Sequence, residues 1–357
     1  MISVALFNNK GGVGKTTLTY HLAHMFERLG HRVLAVDLDP QANLTSAFLD
    51  EDDLAVLWAE PESPSWGGQA NLTGPAARRI TRESGTVAAS VRPIMEGLGD
   101  VEFYPPIRIT GGLWLVPGDL ELSAFEDKLS EAWPRCLMGA PDALRTTTAF
   151  YRILLDAARR VEADVVLIDV GPNLGAINRA ALLAADTVLM PLAADLFSLR
   201  GLRNLGPALR EWRGMWQSGV LPKVPPVIAA PPGSMTPLGY VIMQPAMRLD
   251  RPVQAYRRWV DRIPHVFADA VLNEPWEAEG HSYEIATLRN YQSLMPLAHD
   301  ARKPMFDLKA ADGALGSTQT YVQKCRSEFQ QLAQNVLQRL AKIREEPPAT
   351  SDRGGPL

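Results

Sequence analysis

Two lysines flank one glycine cluster near the start of this 357-residue sequence. Residues 8–17 read NNKGGVGKTT, in which Lys15 follows the last glycine and Lys10 precedes the first. The common phosphate-binding loop is G-x-x-x-x-G-K-[ST]. Residues 9–16 keep the G-K-[ST] ending of this motif but have Asn9 in place of its first glycine. Glycines let backbone N–H groups converge on phosphate oxygens. We therefore expect seven residues to hold a nucleotide: Gly11, Gly12, Val13, Gly14, Lys15, Thr16 and Thr17.

The side chains of this run predict distinct contacts to a bound triphosphate. Lys15 is expected to hold the β- and γ-phosphates, Thr17 to reach the α-phosphate, and the Thr16 hydroxyl to ligate Mg²⁺. Such a site also needs an acidic group for the metal. Asp169, which follows the apolar run VVLI, is the candidate. The expected cofactors are ATP and Mg²⁺.

The elements that must position these residues alternate between strand and helix. ISVALF predicts a buried strand before the glycines, and apolar residues at helical spacing predict a helix from Lys15. RVLAVDLDP predicts a second strand, which ends in Asp37 and Asp39. Strand, glycine loop, helix and strand within 40 residues form a βαβ unit, whose ligand chemistry lies at the carboxyl ends of the strands.

The same alternation returns later in the chain. Residues 163–173 predict a strand ending in Asp169, NRAALLAADTVLMPL a helix and a strand, and a long helix follows from about Ser198. VPPVIAA, residues 224–230, predicts a further strand. This order predicts an α/β fold with a doubly wound, mostly parallel sheet flanked by helices.

The chain is expected to form a single domain over residues 1–345. Residues 60–112 are rich in turn signals and predict an insertion after the second strand. Residues 113–129 predict strand, turn and helix, and an amphipathic helix is expected near Thr320–Arg344. Residues 231–300 are expected to be a variable specificity region, and residues 346–357 a disordered tail.

Composition restricts the classes of function. The formal charge of −4 and the isoelectric point near 5.9 argue against a protein that coats nucleic acid over its whole surface, although a local basic patch is compatible with them. Cys136 and Cys325 provide neither a disulfide framework nor close metal-ligand spacing, as expected in a reducing cytoplasm. No apolar stretch reaches 18 residues, so no transmembrane segment is expected.

Three segments carry a resemblance to a known family. KGGVGKTT, VDLDPQAN and VLIDVGPNLG resemble the deviant Walker A, Walker A′ and Walker B segments of the ParA/Soj/MinD family of ATPases. Later runs, ADTVLMPLAADLFSLRGL and RKPMFDLKAADGALGSTQTYVQKCRSEF, are also similar to that family. The likeness covers most of residues 1–50, 113–216 and 300–340, and implies the P-loop NTPase fold.

The resemblance implies roles for three catalytic residues: Lys10, Lys15 and Asp39. Lys10 would cross a dimer interface to the partner's nucleotide, so that two subunits enclose two ATP molecules. Asp39 would position the attacking water and touch the metal shell, which makes Thr16, Asp39 and Asp169 the expected metal residues. The role of Asp37 stays open between holding Lys15 or metal-bound waters and a purely structural one.

The resemblance also implies a γ-phosphate switch after the Walker B aspartate. Gly171 and Pro172 lie where the family usually shows two prolines. This departure concerns the geometry of the switch and leaves the prediction of nucleotide binding unchanged.

Family membership would imply slow, Mg²⁺-dependent ATP hydrolysis that acts as a timer. ATP closes a homodimer, the dimer binds a surface, commonly DNA without sequence preference, and a ParB-like or other activating protein triggers hydrolysis. The result is partition or positioning of a DNA or protein cargo. The expected location is the cytoplasm, in association with the nucleoid where DNA is the surface.

Residues 247–265 contain the candidate DNA contacts. This segment contains five arginines and two aspartates, and its local excess of positive charge suits salt-sensitive, sequence-independent phosphate contacts. A solvated amphipathic helix is the alternative interpretation. The candidates are Arg248, Arg251, Arg257, Arg258 and Arg262, with a second set of Arg200, Arg203, Arg210 and Arg213.

Two other functions remain open at this stage. A metabolic or maturation ATPase of the same fold, such as a metal-cluster carrier, would need paired cysteines at the dimer axis. A membrane-associated MinD-like regulator would end in a short basic amphipathic helix, whereas this sequence ends in RGGPL.

Overall fold

A mostly parallel sheet forms the centre of the protein. The computed structural model describes residues 1–58, 80–81, 83–244, 253–277, 282–291 and 293–345, with only the backbone at 253–256. Within those ranges the sheet has eight strands in the order β3-β4-β2-β5-β1-β6-β7-β8, and β3 alone is antiparallel to its neighbour. The strands are β1 Ile2–Leu6, β2 Val33–Asp37, β3 Ile107–Arg108, β4 Leu113–Val116, β5 Val165–Asp169, β6 Thr187–Ala193, β7 Thr236–Met243 and β8 Glu284–Leu288. The predicted α/β class is confirmed.

Helices cover both faces of this sheet. The helices are α1 Lys15–Arg28, α2 Asn43–Phe48, α3 Glu51–Leu57, α4 Val87–Met95, α5 Phe125–Cys136, α6 Pro141–Thr147, α7 Ala149–Arg160, α8 Ala176–Ala184, α9 Leu196–Gly214, α10 Val253–Val260, α11 Ile263–Val266, α12 Met295–Ala301 and α13 Ser317–Glu345. Alternate residues of β1 enter opposite cores: Val4 and Leu6 pack toward α1 and α13, whereas Ala5 packs toward α7, α8 and α9.

Strand register brings the predicted acidic residues to one edge. In the parallel ladders, Asp169 at the end of β5 is the partner of Asp37 in β2 and of Leu6 in β1. The loop that follows β1 and the two aspartates therefore meet at the carboxyl edge of the sheet, as the sequence predicts.

The predicted strand at residues 224–230 is wrong. This segment forms turns, in which the Ile228 amide donates to the Pro225 carbonyl oxygen at 2.9 Å. Adjacent prolines explain the error, because they offer no N–H groups to a ladder in the middle of a sheet. The strand beside β6 is instead β7, which lies within the predicted specificity region.

The helix expected from about Ser198 begins two residues earlier, at Leu196. The Asp195 side chain accepts a hydrogen bond from the Ser198 amide at 2.9 Å and so caps the helix. The expected C-terminal helix is present as α13.

The expected insertion contains α4 and β3, while residues 59–79 and 82 lie outside the described residues. The expected tail, residues 346–357, also lies outside them. Among the helices that the structure describes, none is both long and apolar enough to span a bilayer.

Candidate functional site

The glycine run connects β1 to α1 and lines a cleft. Gly12 and Gly14 have φ angles of 72° and 87°, a left-handed conformation that a β-carbon would strain. Gly14 caps α1, so the loop amides and the positive end of the helix dipole face the same cleft. The cleft measures about 740 Å³ and is lined by Gly11, Lys15, Thr16 and Asp39 among others.

Lys15 is held inside the loop that it serves. Its Nζ donates to the Asn8 carbonyl oxygen at 3.2 Å, and only 7% of the residue is exposed. Burial lowers the pKa of Lys15, and the nearby carboxylates of Asp169 and Asp39 partly oppose that shift. The ammonium therefore sits where a polyanion could take the place of a weak backbone contact.

The Thr16 hydroxyl and the Asp169 carboxylate, two of the groups expected to bind the metal, are in contact. Thr16 Oγ1 donates to Asp169 Oδ2 at 2.6 Å. Burial, and then the adjacent charge of Asp37, raise the pKa of Asp169, because both disfavour its anionic form. Oxygen ligands and uncompensated negative charge suit Mg²⁺. In the described part of the chain no three His, Cys, Asp or Glu side chains form a metal site by themselves, so phosphates and waters would complete the shell.

Asp37 is structural in its contacts. Its buried carboxylate accepts hydrogen bonds from the Thr45 amide at 2.8 Å, the Thr45 hydroxyl at 2.7 Å and the Asp39 amide at 3.2 Å. These bonds tie the end of β2 to α2. The arrangement favours the structural alternative for Asp37 and leaves Asp39, 7% exposed, at the wall of the cleft.

The Lys10 side chain pairs with Asp195 and is not among the side chains that line the cleft. Its ammonium forms an ion pair with Asp195, the residue that caps α9, and lies 5.8 Å from the centroid of the Phe197 ring. About a third of each charged side chain is exposed, and the Phe197 side chain is 67% exposed. Lys10 is therefore a surface cation whose first contact is within its own chain.

The segment after Asp169 is fixed by two residues that the sequence analysis did not single out. Glu126 of α5 accepts hydrogen bonds from the Ala176 and Ile177 amides at 2.6 and 2.9 Å, and so caps α8. Asn178 Nδ2 donates to the Gly171 carbonyl oxygen at 3.1 Å. Glu126 has no local sequence signal, because it lies 50 residues before the Ala176 amide that it caps.

The arginine candidates separate into two groups. Arg257, Arg258 and Arg262 are exposed, and the last two lie 5.5 and 5.6 Å from the Trp259 ring centroid. Arg248 and Arg251 lie outside the described residues.

In the second set, Arg200 and Arg203 are exposed on α9. Arg210 donates to the Val271 carbonyl oxygen at 3.1 Å and Arg213 to the Met235 carbonyl oxygen at 2.6 Å. The guanidinium groups of these two arginines are engaged in hydrogen bonds to the backbone of their own chain, so these residues are poor candidates for contacts to DNA.

The two cysteines lie in different core layers. Cys136 packs in the core of α5, α7, α8 and α9, and Cys325 packs in the core of α1 and α13. Both are buried and free. This placement gives no support to a cysteine-bound cluster within one subunit.

Comparison with known proteins gives a family match over the first part of the chain. A family model described as "AAA domain" matches residues 1–217. The chain is 31% identical over 210 residues to the chromosome-partitioning ATPase Soj of Thermus thermophilus, covering 59% of this chain and 62% of Soj. It is 29% identical over 215 residues to the chromosome partitioning protein ParA of Caulobacter vibrioides, covering 59% and 63%. The chain thus spans less than two thirds of the length of these relatives.

A solved structure extends the likeness of fold. A protein from Corynebacterium diphtheriae superposes with a TM-score of 0.67 at 25% identity, covering 95% of this chain and 99% of its own. The family match and the Soj and ParA relatives confirm the resemblance that the three Walker segments indicated.

Proposed function

Because the chain belongs to the AAA-domain family that matches residues 1–217, with the partition ATPases ParA and Soj among its relatives, we propose that it is a ParA-like ATPase. It would close into a homodimer with ATP, hydrolyse ATP slowly with Mg²⁺, and switch non-specific DNA binding to partition or position a DNA or protein cargo. Residues 1–345 would form one ATPase domain. The observation that carries the proposal is the meeting of Lys15, Thr16 and Asp169 at the end of the glycine loop.

Binding of the triphosphate follows from groups that are already in place. The loop amides and Lys15 would receive the phosphate oxygens, and the buried ammonium would gain anionic partners that its backbone contact does not supply. Thr16 and Asp169 would hold Mg²⁺, which neutralises charge on the phosphates. Thr17 would complete the cradle at the α-phosphate.

Asp39 is suited to orient water at the terminal phosphate. Its carboxylate lines the cleft, and its amide is fixed by a hydrogen bond to Asp37 Oδ1 at 3.2 Å. The Gln41 amide donates to Asp39 Oδ1 at 3.0 Å, which holds the side chain in one orientation. Orientation of this kind lowers the entropic cost of attack.

Lys10 supports the proposal of a dimer because its ammonium is about a third exposed, pairs with Asp195 and does not line the cleft of its own subunit. A cation delivered from a second subunit would offset charge that develops on the transferred phosphoryl group. To reach a partner, Lys10 must leave Asp195. Exposure of Phe197 beside it adds apolar area that a second subunit could cover.

DNA and an activating protein are the proposed partners of the ATP-bound dimer. The candidate DNA surface comprises Arg257, Arg258 and Arg262 in the described part of the chain. Arg248 and Arg251 are the other two candidates, and they lie outside the described residues. A ParB-like or other protein would trigger hydrolysis. The proposed location is the cytoplasm, with the nucleoid as the surface.

Nucleotide binding and dimer mass test this proposal together. Lys15→Ala should abolish ATP binding, because the lost ammonium is the main cation of the cradle. Asp39→Ala should bind ATP and accumulate as a dimer that hydrolyses ATP more slowly than the wild type. Calorimetry measures ATP binding, and light scattering measures the mass of the dimer, both with Mg²⁺ present. An Asp39→Ala protein that stays monomeric at saturating ATP contradicts the switch.

The DNA surface has its own control. Arg258→Ala with Arg262→Ala should weaken ATP-dependent binding to duplexes of any sequence and reduce its salt dependence. Arg159→Ala, which removes an exposed arginine at the end of α7, should leave binding unchanged. Equal affinities of the double variant and the wild type would remove this surface from the proposal.

A further inference from the structure

Arg302 lines the cleft just after α12, in a backbone conformation that glycine normally supplies. Its φ angle is 49°, and it ends the helix as a left-handed cap. Glycine is the usual residue at such a cap, because a β-carbon strains this conformation. Strain of this kind persists where the surrounding structure or a function requires it. The side chain of Arg302 is therefore the feature to explain.

That side chain connects two parts of the chain that line the cleft. Arg302 Nη1 donates to the Leu49 carbonyl oxygen at 3.0 Å. Leu49 lies between α2 and α3, and it lines the cleft as Arg302 does. The guanidinium is thus held at the cleft by a contact between residues 253 positions apart.

The positive charge of Arg302 has no carboxylate partner in the described part of the chain. Its side chain donates to a neutral carbonyl, and Glu51 lines the same cleft without pairing with it. The next residue, Lys303, differs, because its ammonium pairs with Asp312 at 2.7 Å. Arg302 therefore keeps its charge and most of its N–H donors for a ligand.

The elements beside Arg302 give the cleft an apolar lining. Leu49, Leu54, Met295 and Ala298 contribute to it from α3, α12 and the segment before α3. An apolar lining with a few polar groups suits a base and a ribose, whereas glycine amides and a lysine suit phosphates. Guanidinium groups also stack on aromatic rings. Arg302 thus borders a part of the cleft that suits a nucleoside.

The link between Arg302 and the phosphate loop agrees with this placement. Met305, three residues after Arg302, donates its amide to His21 Nε2 at 3.0 Å. His21 follows Thr17 by four residues of α1, which span roughly 6 Å. Because Thr17 is the residue proposed to reach the α-phosphate, the segment that carries Arg302 packs where the ribose would follow.

We propose that Arg302 is a further nucleotide-binding residue, which holds the nucleoside half of ATP. The proposal rests on the ATPase function proposed above and adds a residue from outside the three Walker segments. The guanidinium keeps its hydrogen bond to Leu49 and offers its face and its other N–H groups to the base and the ribose. The strained cap is kept because its side chain retains the ligand.

Arg302→Gly separates this role from a contribution to folding. Glycine relieves the left-handed backbone, so the variant should unfold at the same urea concentration as the wild type or a higher one. ATP should bind to it about five- to tenfold more weakly, as calorimetry with Mg²⁺ measures. Glu162→Gly is the matched control, because Glu162 has the same φ of 49° at the opposite edge of the sheet, and this variant should bind ATP as the wild type does.

Tripolyphosphate shows which half of the nucleotide Arg302 holds. It carries the phosphates without a nucleoside, so Arg302→Gly and the wild type should bind it equally. If Arg302→Gly weakens the binding of both ligands equally, or of neither, the proposal is overturned. A wild type that binds neither ligand contradicts the proposed ATPase and, with it, the assignment of Arg302.

Discussion

His21 links the helix of the phosphate loop to the C-terminal part of the chain. Its Nδ1 pairs with the Thr17 carbonyl oxygen at 2.7 Å, and its Nε2 accepts a hydrogen bond from the Met305 amide at 3.0 Å. One ring nitrogen therefore donates and the other accepts, which requires the neutral imidazole. Burial lowers the pKa of His21 to about 4.

Acid should destabilise the protein through His21. The folded-state pKa is below the value of 6.5 for an unperturbed histidine, so the unfolded chain binds the proton first. The stabilising contribution is present above pH 6.5 and is lost as the pH falls toward 4, by on the order of 3 kcal/mol in the free energy of unfolding. Urea unfolding at several pH values measures this loss.

Two variants isolate the contribution of His21. His21→Gln can keep a donor and an acceptor but cannot take up the proton, so its stability should depend less on pH between 6.5 and 4. His299→Gln changes a side chain that is 90% exposed and should retain the wild-type pH dependence. If His21→Gln unfolds with the wild-type pH dependence, other groups are responsible.

At the scale of elements, α9 approaches the helical turn at residues 267–272 backbone to backbone. A β-carbon on Gly206 would lie 1.9 Å from the Ala270 carbonyl oxygen and 2.9 Å from the Val271 Cα atom. Arg210 of the same helix donates to the Val271 carbonyl oxygen at 3.1 Å. Glycine at 206 is thus required by packing between elements and not by φ.

Gly206→Ala should destabilise the protein by about 1–3 kcal/mol, because backbone on both sides has to move. Gly214→Ala lies in the same helix with nothing within 4 Å of the added carbon, and should be neutral or stabilising by up to about 1 kcal/mol. Chemical denaturation of the two variants compares them directly. Equal stabilities would mean that α9 can shift without cost.

At the scale of the whole molecule, the contact between Lys10 and Asp195 competes with closure of a dimer. Asp195→Asn keeps a side-chain oxygen that can cap α9 and removes the charge that holds Lys10. A partly exposed ion pair is worth up to about 1 kcal/mol, and a symmetric dimer would break one pair in each subunit, so the variant should dimerise with ATP up to about thirtyfold more tightly. Analytical ultracentrifugation at graded protein concentrations measures the dissociation constant.

Glu162→Gln is the control for this experiment. It removes an 81% exposed carboxylate at the opposite edge of the sheet, and its dimer should dissociate as the wild type does. Unchanged or weaker dimerisation of Asp195→Asn would show that the ion pair does not oppose closure.

The sequence alone determined the phosphate loop, the βαβ unit and the acidic ends of β2 and β5. These features are local: glycine conformations, helical and strand periodicity, and the rule that parallel strands present their carboxyl ends together. The strand predicted at VPPVIAA was wrong for a reason that is also local. The prediction gave more weight to the apolar residues of this segment than to its two adjacent prolines.

Only the tertiary structure decided which distant residues meet. Lys10 pairs with Asp195, 185 positions away, and Glu126 caps a helix 50 residues later. Asn178 of α8 donates to the Gly171 carbonyl oxygen just after the end of β5. Such contacts depend on strand order and on packing of helices against the sheet, and neither is encoded in the spacing of neighbouring residues. Local sequence patterns thus identified the phosphate loop and the acidic strand ends, and the packing of the sheet decided which other residues meet them.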